Sequence, residues 1–128
     1  MTTAADVQQI VSAFLAARED LNADAARYMA PDFTFESPLM RFDDREKYLA
    51  SHRAFQPLVL GKTMVSELYG PQEATLVYDL QTATPVRLQR TAEHIRLEDG
   101  KVSRILLVFD AAPWQPLFDG SGRLRRPG

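Results

Sequence analysis

The sequence predicts an α+β fold in which a cone-shaped, curved antiparallel β-sheet wraps around three N-terminal helices. The first observation is the order of elements, because helical periodicity dominates the first half of the 128-residue chain and strand periodicity the second. The second observation is a series of turn signals that divides residues 58–111 into four long segments. Helices cannot cover a strongly bent sheet completely, so we expect the cone to enclose an apolar cavity.

Three helices are predicted before the long strands. An apolar stripe with spacings of three and four follows Thr3, which is the expected N-cap of the first helix. Asn22 is expected to cap a short second helix that ends at Met29. Asp43 or Asp44 is expected to cap the third helix. One face of this third helix carries four residues that should look into the cone: Tyr48, Leu49, His52 and Phe55.

Five strands are predicted, over residues 33–37, 58–69, 73–82, 87–98 and 101–111. The apolar parity of the fourth strand changes between Leu88 and Ile95, which predicts a bulge near residues 89–92. Residues 105–109 are apolar on both faces of the last strand. This run predicts a homodimer through the convex face of the sheet, unless the segment with Trp114 covers that face.

Residues 1–118 are predicted to form a single domain, and the Gly- and Arg-rich residues 119–128 a mobile tail. The formal charge of −2 argues against a nucleic-acid partner, and no apolar run is long enough to cross a membrane. With no cysteine and two histidines, we expect no metal site and a cytoplasmic location. No Gly-rich loop leads from a strand into a helix, so we expect no cofactor.

Three strings of the sequence carry a resemblance to a known family: IVSAFLAARED, YMAPDFTFESP and TAEHIRLEDGKVSRILLVFD. With the third helix they cover residues 5–112, and together they resemble the nuclear transport factor 2-like superfamily of cystatin-like folds. That superfamily includes the SnoaL-type polyketide cyclases and the ketosteroid isomerases, so the resemblance implies a single SnoaL-like domain. Its members catalyse several kinds of reaction or none known, so the resemblance implies the fold more strongly than the chemistry.

The resemblance to ketosteroid isomerases can be followed residue by residue. Their general-base aspartate falls at Ser37, their oxyanion tyrosine at Phe14 and their protonated aspartate at Glu93. A second tyrosine of these enzymes falls near His52. The first position has lost its base, the second its hydroxyl, and the third keeps a longer carboxyl group. The resemblance therefore implies a related cavity and not a true ketosteroid isomerase.

Glu93 is the principal candidate for catalysis. Its parity in the strand places it on the same face as Thr91 and Ile95, so its side chain should point into the apolar interior. Desolvation there would raise the pKa of the carboxyl group and suit it to act as a general acid or base. The alternative is a structural carboxylate that is paired with Arg90 or Arg104.

The register of the last hairpin leaves two partners open for Glu93. If Asp99–Gly100 is a two-residue turn, Glu93 pairs opposite Leu106. With a three-residue loop and a bulge at Gly100 it pairs opposite Ile105, which the resemblance favours. Either partner is aliphatic and keeps Glu93 in an apolar setting.

His52 and Tyr78 are the other catalytic candidates. His52 could orient a substrate or move a proton beside Glu93, and the alternative is an ordinary core histidine. Tyr78 shares a face with Leu76 and Leu80, so its hydroxyl needs a buried partner, either a ligand or a neighbouring strand. The residues expected to contact substrate are Phe14, Ser37, Tyr48, Phe55, Leu107 and Phe109.

These observations favour a small-molecule-binding protein with acid–base activity and no cofactor. The expected reaction is an isomerisation, dehydration or cyclisation of a small, apolar organic substrate, with Glu93 as acid or base and His52 and Tyr78 as partners. The alternative is a non-catalytic ligand-binding or dimerisation module with the same fold. A salt bridge at Glu93 inside otherwise apolar walls would favour that alternative.

Overall fold

The computed structural model describes residues 2–20 and 22–117. The predicted tail, residues 119–128, lies outside the described residues. The helices are α1 (Ala4–Glu19) and α2 (Arg45–Phe55), with short 3₁₀ turns at Ala25–Tyr28, Gln56–Leu58 and Gln115–Leu117. The strands are β1 (Met29–Glu36), β2 (Arg41–Phe42), β3 (Val59–Tyr69), β4 (Glu73–Thr82), β5 (Leu88–Glu98) and β6 (Lys101–Val108).

The six strands form one curved sheet in the order β2-β1-β6-β5-β4-β3. All neighbouring pairs are antiparallel except β1 and β6, which run parallel. Helix α1 contacts β3 and β4, and α2 contacts β1. The sheet and the helices enclose a core whose largest fully buried apolar side chains are Phe14, Phe33, Met29, Leu49, Leu76, Ile95 and Ile105. The α+β cone that the sequence predicts is confirmed.

The N-terminal helices differ from the prediction in one respect. Thr3 caps α1 in a reciprocal pair of hydrogen bonds with Asp6, and Asp44 caps α2 by accepting from two backbone amides. The second predicted helix is only the 3₁₀ turn Ala25–Tyr28, and the chain is already extended at Met29. Met29 pairs with Val102 of β6, so sheet pairing takes the residues that would have continued the helix.

The hairpin of β5 and β6 also differs from the prediction. Pairing between β4 and β5 is regular, and the predicted bulge near 89–92 is absent. The apolar parity changes along β5 because Leu88 is on the outward face, where its side chain is 60% exposed. The irregularity lies in β6, where Ser103 has no partner and its hydroxyl donates to the carbonyl of Arg96. Asp99–Gly100 is a two-residue turn with positive φ at both residues.

The extra residue in β6 decides the partner of Glu93. Glu93 pairs with Leu107, so both predicted partners, Leu106 and Ile105, are wrong. A two-residue turn alone would give Leu106, and the bulge at Ser103 moves the register by one residue. The prediction that the partner is aliphatic is confirmed.

Candidate binding site

A cavity of about 870 Å³ opens inside the cone. Its walls are mostly apolar and come from the C-terminal end of α1, from α2, from β1 to β6 and from the segment after β6. The apolar side chains of the wall include Phe35, Phe42, Leu60, Leu80, Leu107 and Phe109. Such a volume holds a small organic molecule of drug size.

Most of the residues selected from the sequence line this cavity. They are Glu93, His52, Tyr78, Ser37, Tyr48, Phe55, Leu107 and Phe109. Phe14 does not line it, because its side chain is fully buried and Arg18, one turn further along α1, lies over its ring at 5.4 Å. The ligand contact predicted for Phe14 is therefore replaced by a core contact beneath Arg18.

Arg18 and Glu93 form a buried ion pair at the floor of the cavity. Arg18 Nη1 donates to Glu93 Oε2 at 2.6 Å, and Nη2 lies 3.4 Å from Oε1. The Tyr78 hydroxyl donates to the same Oε1 at 2.9 Å. The two charged side chains are only 4% and 1% exposed. The carboxylate is thus held by one guanidinium and one phenol.

The sequence named the wrong cation for this pair. Arg90 instead binds Asp79, with Nε 2.8 Å from Oδ1, and Arg104 lies 3.9 Å from Glu36. Arg90 lies on the outward face of β5, and Arg104 follows the bulge in β6. Both side chains are largely exposed. Arg18 was not among the residues selected from the sequence. The signal was its spacing, because Arg18 continues the stripe of Val7, Val11 and Phe14 on the buried face of α1.

The ion pair keeps Glu93 ionised. Burial by itself would raise the pKa of Glu93, but the charge and hydrogen bonds of Arg18, the charge of Lys62 and the bond from Tyr78 outweigh burial. The pKa of Glu93 therefore lies below its ordinary value. The raised pKa predicted from the sequence is wrong, because Arg18 supplies the cation that the apolar neighbours lack.

Tyr48 presents a hydroxyl group beside the pair. Its oxygen accepts a hydrogen bond from Arg18 Nη1 at 3.0 Å, and burial raises the pKa of Tyr48 to about 12, so the hydroxyl stays protonated. Within residues 2–20 and 22–117, that hydroxyl donates no hydrogen bond. Arg18 Nε is likewise buried with no partner there. The floor therefore holds hydrogen-bond donors that are not used by the described part of the protein.

His52 lines the cavity next to Tyr48, with 6.2 Å between the ring centroids. Burial, and then the positive charge of Arg18, lower the pKa of His52 to about 3. The imidazole is therefore neutral at physiological pH. Its Nδ1 is buried and has no hydrogen-bond partner in the described residues.

Ser37, which the sequence resemblance matches to the ketosteroid isomerase base, has a hydroxyl that is part of a turn. Its Oγ accepts from the backbone amides of Leu39 and Met40, each at 3.2 Å. These bonds stabilise the connection between β1 and β2. Ser37 thus lines the cavity with a hydroxyl that already has partners.

No group of three or more His, Cys, Asp or Glu side chains in residues 2–20 and 22–117 could hold a metal ion. Among the described helices, none is both long enough and apolar enough to cross a membrane.

No protein-family model matches the chain, and no curated protein matches it. Solved structures do. A structure described as a protein of known function from Kribbella flavida DSM 17836 has a TM-score of 0.73 and 25% identity, with 84% of this chain and 89% of that chain covered.

Two further structures have similar folds at lower identity. An NTF2-like protein of unknown function from Cytophaga hutchinsonii ATCC 33406 gives a TM-score of 0.69 and 19% identity, covering 84% of this chain and 93% of its own. A steroid delta-isomerase from Pseudomonas aeruginosa gives a TM-score of 0.70 and 16% identity, covering 85% of this chain and 82% of its own. At these identities the likeness concerns the fold.

Proposed function

We propose that this chain, which has the nuclear transport factor 2-like fold, binds a small, largely apolar organic molecule in the cavity of the cone. One hydrogen-bond acceptor of that molecule, such as a ketone oxygen, would rest against Tyr48 beside the Arg18–Glu93 pair. The observation that carries the proposal is the buried Tyr48 hydroxyl, which donates no hydrogen bond within the described residues.

The bonds at the cavity floor explain why an acceptor fits. Tyr48 receives a hydrogen bond from the Arg18 guanidinium, which polarises the phenol and makes its own hydrogen a stronger donor. A buried donor without a partner costs about 1–3 kcal/mol, and a ligand acceptor would recover that cost. The Arg18–Glu93 pair is already neutral as a unit, so an uncharged ligand suits the site better than an ion.

The same geometry supports binding more than acid–base catalysis. Glu93 is held ionised by Arg18, and His52 has a pKa of about 3, so neither group is matched to proton transfer near neutral pH. We therefore propose the non-catalytic alternative, with Glu93 as the residue that positions Arg18 and Tyr48. Catalytic roles for Glu93, His52 and Tyr78 stay predictions.

A matched pair of probes tests this proposal: 4-acetylbiphenyl, which carries a ketone, and 4-ethylbiphenyl, which does not. The chain has a single tryptophan, Trp114, and it lines the cavity, so its fluorescence reports binding. Tyr48→Phe should weaken binding of the ketone about tenfold, or 1.4 kcal/mol, and leave the ethyl compound within about twofold.

Tyr69→Phe is the control, because the Tyr69 hydroxyl donates to Glu67 on the exposed strand β3 and does not line the cavity. It should leave both affinities unchanged. Failure of both probes to bind wild-type protein, or equal effects of Tyr48→Phe on the two probes, would contradict the proposal.

A further inference from the structure

The charged side chains that line the cavity form two ion pairs, and the two pairs differ in their contact with solvent. Arg18 and Glu93 make the buried pair of the floor, and their side chains are 4% and 1% exposed. Lys62 of β3 pairs with Glu19, the last residue of α1, and Nζ lies 3.0 Å from Oε1. These two side chains are 22% and 43% exposed, so the second pair is accessible both to the cavity and to water.

The ring of Tyr78 holds the Lys62 ammonium against the wall of the cavity. Nζ lies 4.7 Å from the centroid of that ring, within the range of a cation–π interaction. The Tyr78 hydroxyl is bonded to Glu93, so the ring is a fixed support for the cation. Within residues 2–20 and 22–117, Glu19 is the only ion-pair partner of Lys62. An ammonium group has three N–H donors, so Lys62 can accept a further partner from the cavity.

The two members of this pair are held unequally. Glu19 is the more exposed member, so its carboxylate becomes hydrated when it leaves Lys62, whereas Lys62 stays against Tyr78. Partly exposed ion pairs contribute little to stability, so another anion can replace Glu19 at little cost. An apolar ligand would displace water from around Lys62. Its own anionic group would then be attracted more strongly, because less water screens the two charges.

We propose that Lys62 selects a ligand with an anionic group, such as a carboxylate, which replaces Glu19 beside the ammonium. The inference rests on the proposed function and extends it to a substrate class: an apolar organic acid that also carries an uncharged acceptor for Tyr48. The two polar groups of the ligand lie apart. The uncharged one meets the floor, where Arg18 and Glu93 already neutralise each other, and the anionic one meets Lys62.

Biphenyl-4-acetic acid and biphenyl-4-acetamide are matched probes, because they have nearly the same size and differ in charge at neutral pH. Titration calorimetry at neutral pH and low salt should show that wild-type protein binds the acid about fivefold more tightly than the amide, the range of a partly exposed ion pair. Lys62→Met should remove this preference. It should leave the affinity for the amide within about twofold, because methionine keeps the apolar length of the lysine side chain.

Glu19→Gln should change the preference in the opposite direction. It removes the competing negative charge and keeps the size of the side chain, so the acid should bind about threefold more tightly and the amide as before. Lys47→Met is the control, because Lys47 is an exposed lysine of α2 that does not line the cavity. It should leave both affinities unchanged. If the Lys62–Glu19 pair only supported the fold, each variant would alter the two affinities equally.

Three results would overturn the anionic subsite: equal affinities of wild-type protein for the acid and the amide, an acid preference that survives in Lys62→Met, or a Glu19→Gln variant that binds the acid no more tightly. The first and third do not depend on the folding of Lys62→Met. After any of the three, binding of 4-acetylbiphenyl that depends on Tyr48 would leave the proposed function standing. No binding of any of the three biphenyl compounds to wild-type protein would overturn both.

Discussion

Glu93→Gln changes one charge in the floor of the cavity and nothing of the side chain's size. The variant would leave the Arg18 guanidinium, only 4% exposed, without its counter-ion. Removing one partner of a fully buried ion pair costs about 3–5 kcal/mol, because the remaining charge stays desolvated. For a chain of 128 residues this corresponds to a melting temperature lower by roughly 10–20 °C.

Thermal and urea unfolding of wild type and variant at neutral pH measure this loss. Glu73→Gln is the control, because Glu73 is an exposed carboxylate paired with His94, and its loss should change stability by less than about 1 kcal/mol. The double variant Arg18→Met, Glu93→Leu removes both charges together. It should recover most of the stability, because apolar residues of similar volume replace buried ion pairs at little cost.

The pH dependence of stability tests the ionisation of Glu93 independently. The pKa of Glu93 is depressed in the folded protein, so its stabilisation is present above its ordinary pKa of 4.5 and is lost as pH falls through the folded value. Glu93→Gln should lack this loss. An unchanged melting temperature for Glu93→Gln would show that no buried ion pair depends on the charge of Glu93, and it would favour the neutral, protonated Glu93 that the sequence predicted.

Three further predictions concern other parts of the chain. The pKa of His52 is about 3 in the folded protein against 6.5 when unfolded, so its protonation favours the unfolded state. Between pH 7 and pH 5 the free energy of unfolding of wild type should therefore fall by about 2 kcal/mol more than that of His52→Gln. Urea unfolding that shows the same pH dependence for both proteins would contradict this prediction. Gly100 has φ of 75° and open space around it, so Gly100→Ala should cost about 1 kcal/mol of backbone strain, and an unchanged melting temperature would count against the turn geometry. The homodimer predicted from the sequence should sediment at twice 14.4 kDa. The double variant Leu68→Glu, Val108→Glu should be monomeric, because these two apolar side chains are 69% and 56% exposed. A wild-type monomer at micromolar concentration would refute the dimer.

The parts of the fold that the sequence predicts well are those with local causes. Alternating side chains and turn residues placed β3, β4 and β5 within a residue or two of their observed bounds. The inward direction of Glu93 follows from the period of two in a strand, and the side chain is fully buried. The Asp99–Gly100 turn follows from the tolerance of Gly for positive φ.

The parts that the sequence does not predict depend on how elements meet. The bulge at Ser103 has no Gly or Pro to mark it, yet it moves the partner of Glu93 from Leu106 to Leu107. The ion pair joins residues 75 positions apart, so it exists only once α1 has docked on the sheet. Because the pKa of Glu93 depends on that contact, its direction could not be predicted from the neighbours along β5.

A crystal structure of the protein with 4-acetylbiphenyl is the most direct test of the central claim, which is that the cavity orients an acceptor against the Tyr48–Arg18–Glu93 floor. The biphenyl is expected to lie along the apolar walls with its ketone oxygen about 2.7 Å from Tyr48 Oη, at hydrogen-bonding distance. A compound bound outside the cavity, or bound inside it with the ketone turned away from Tyr48, would contradict the account.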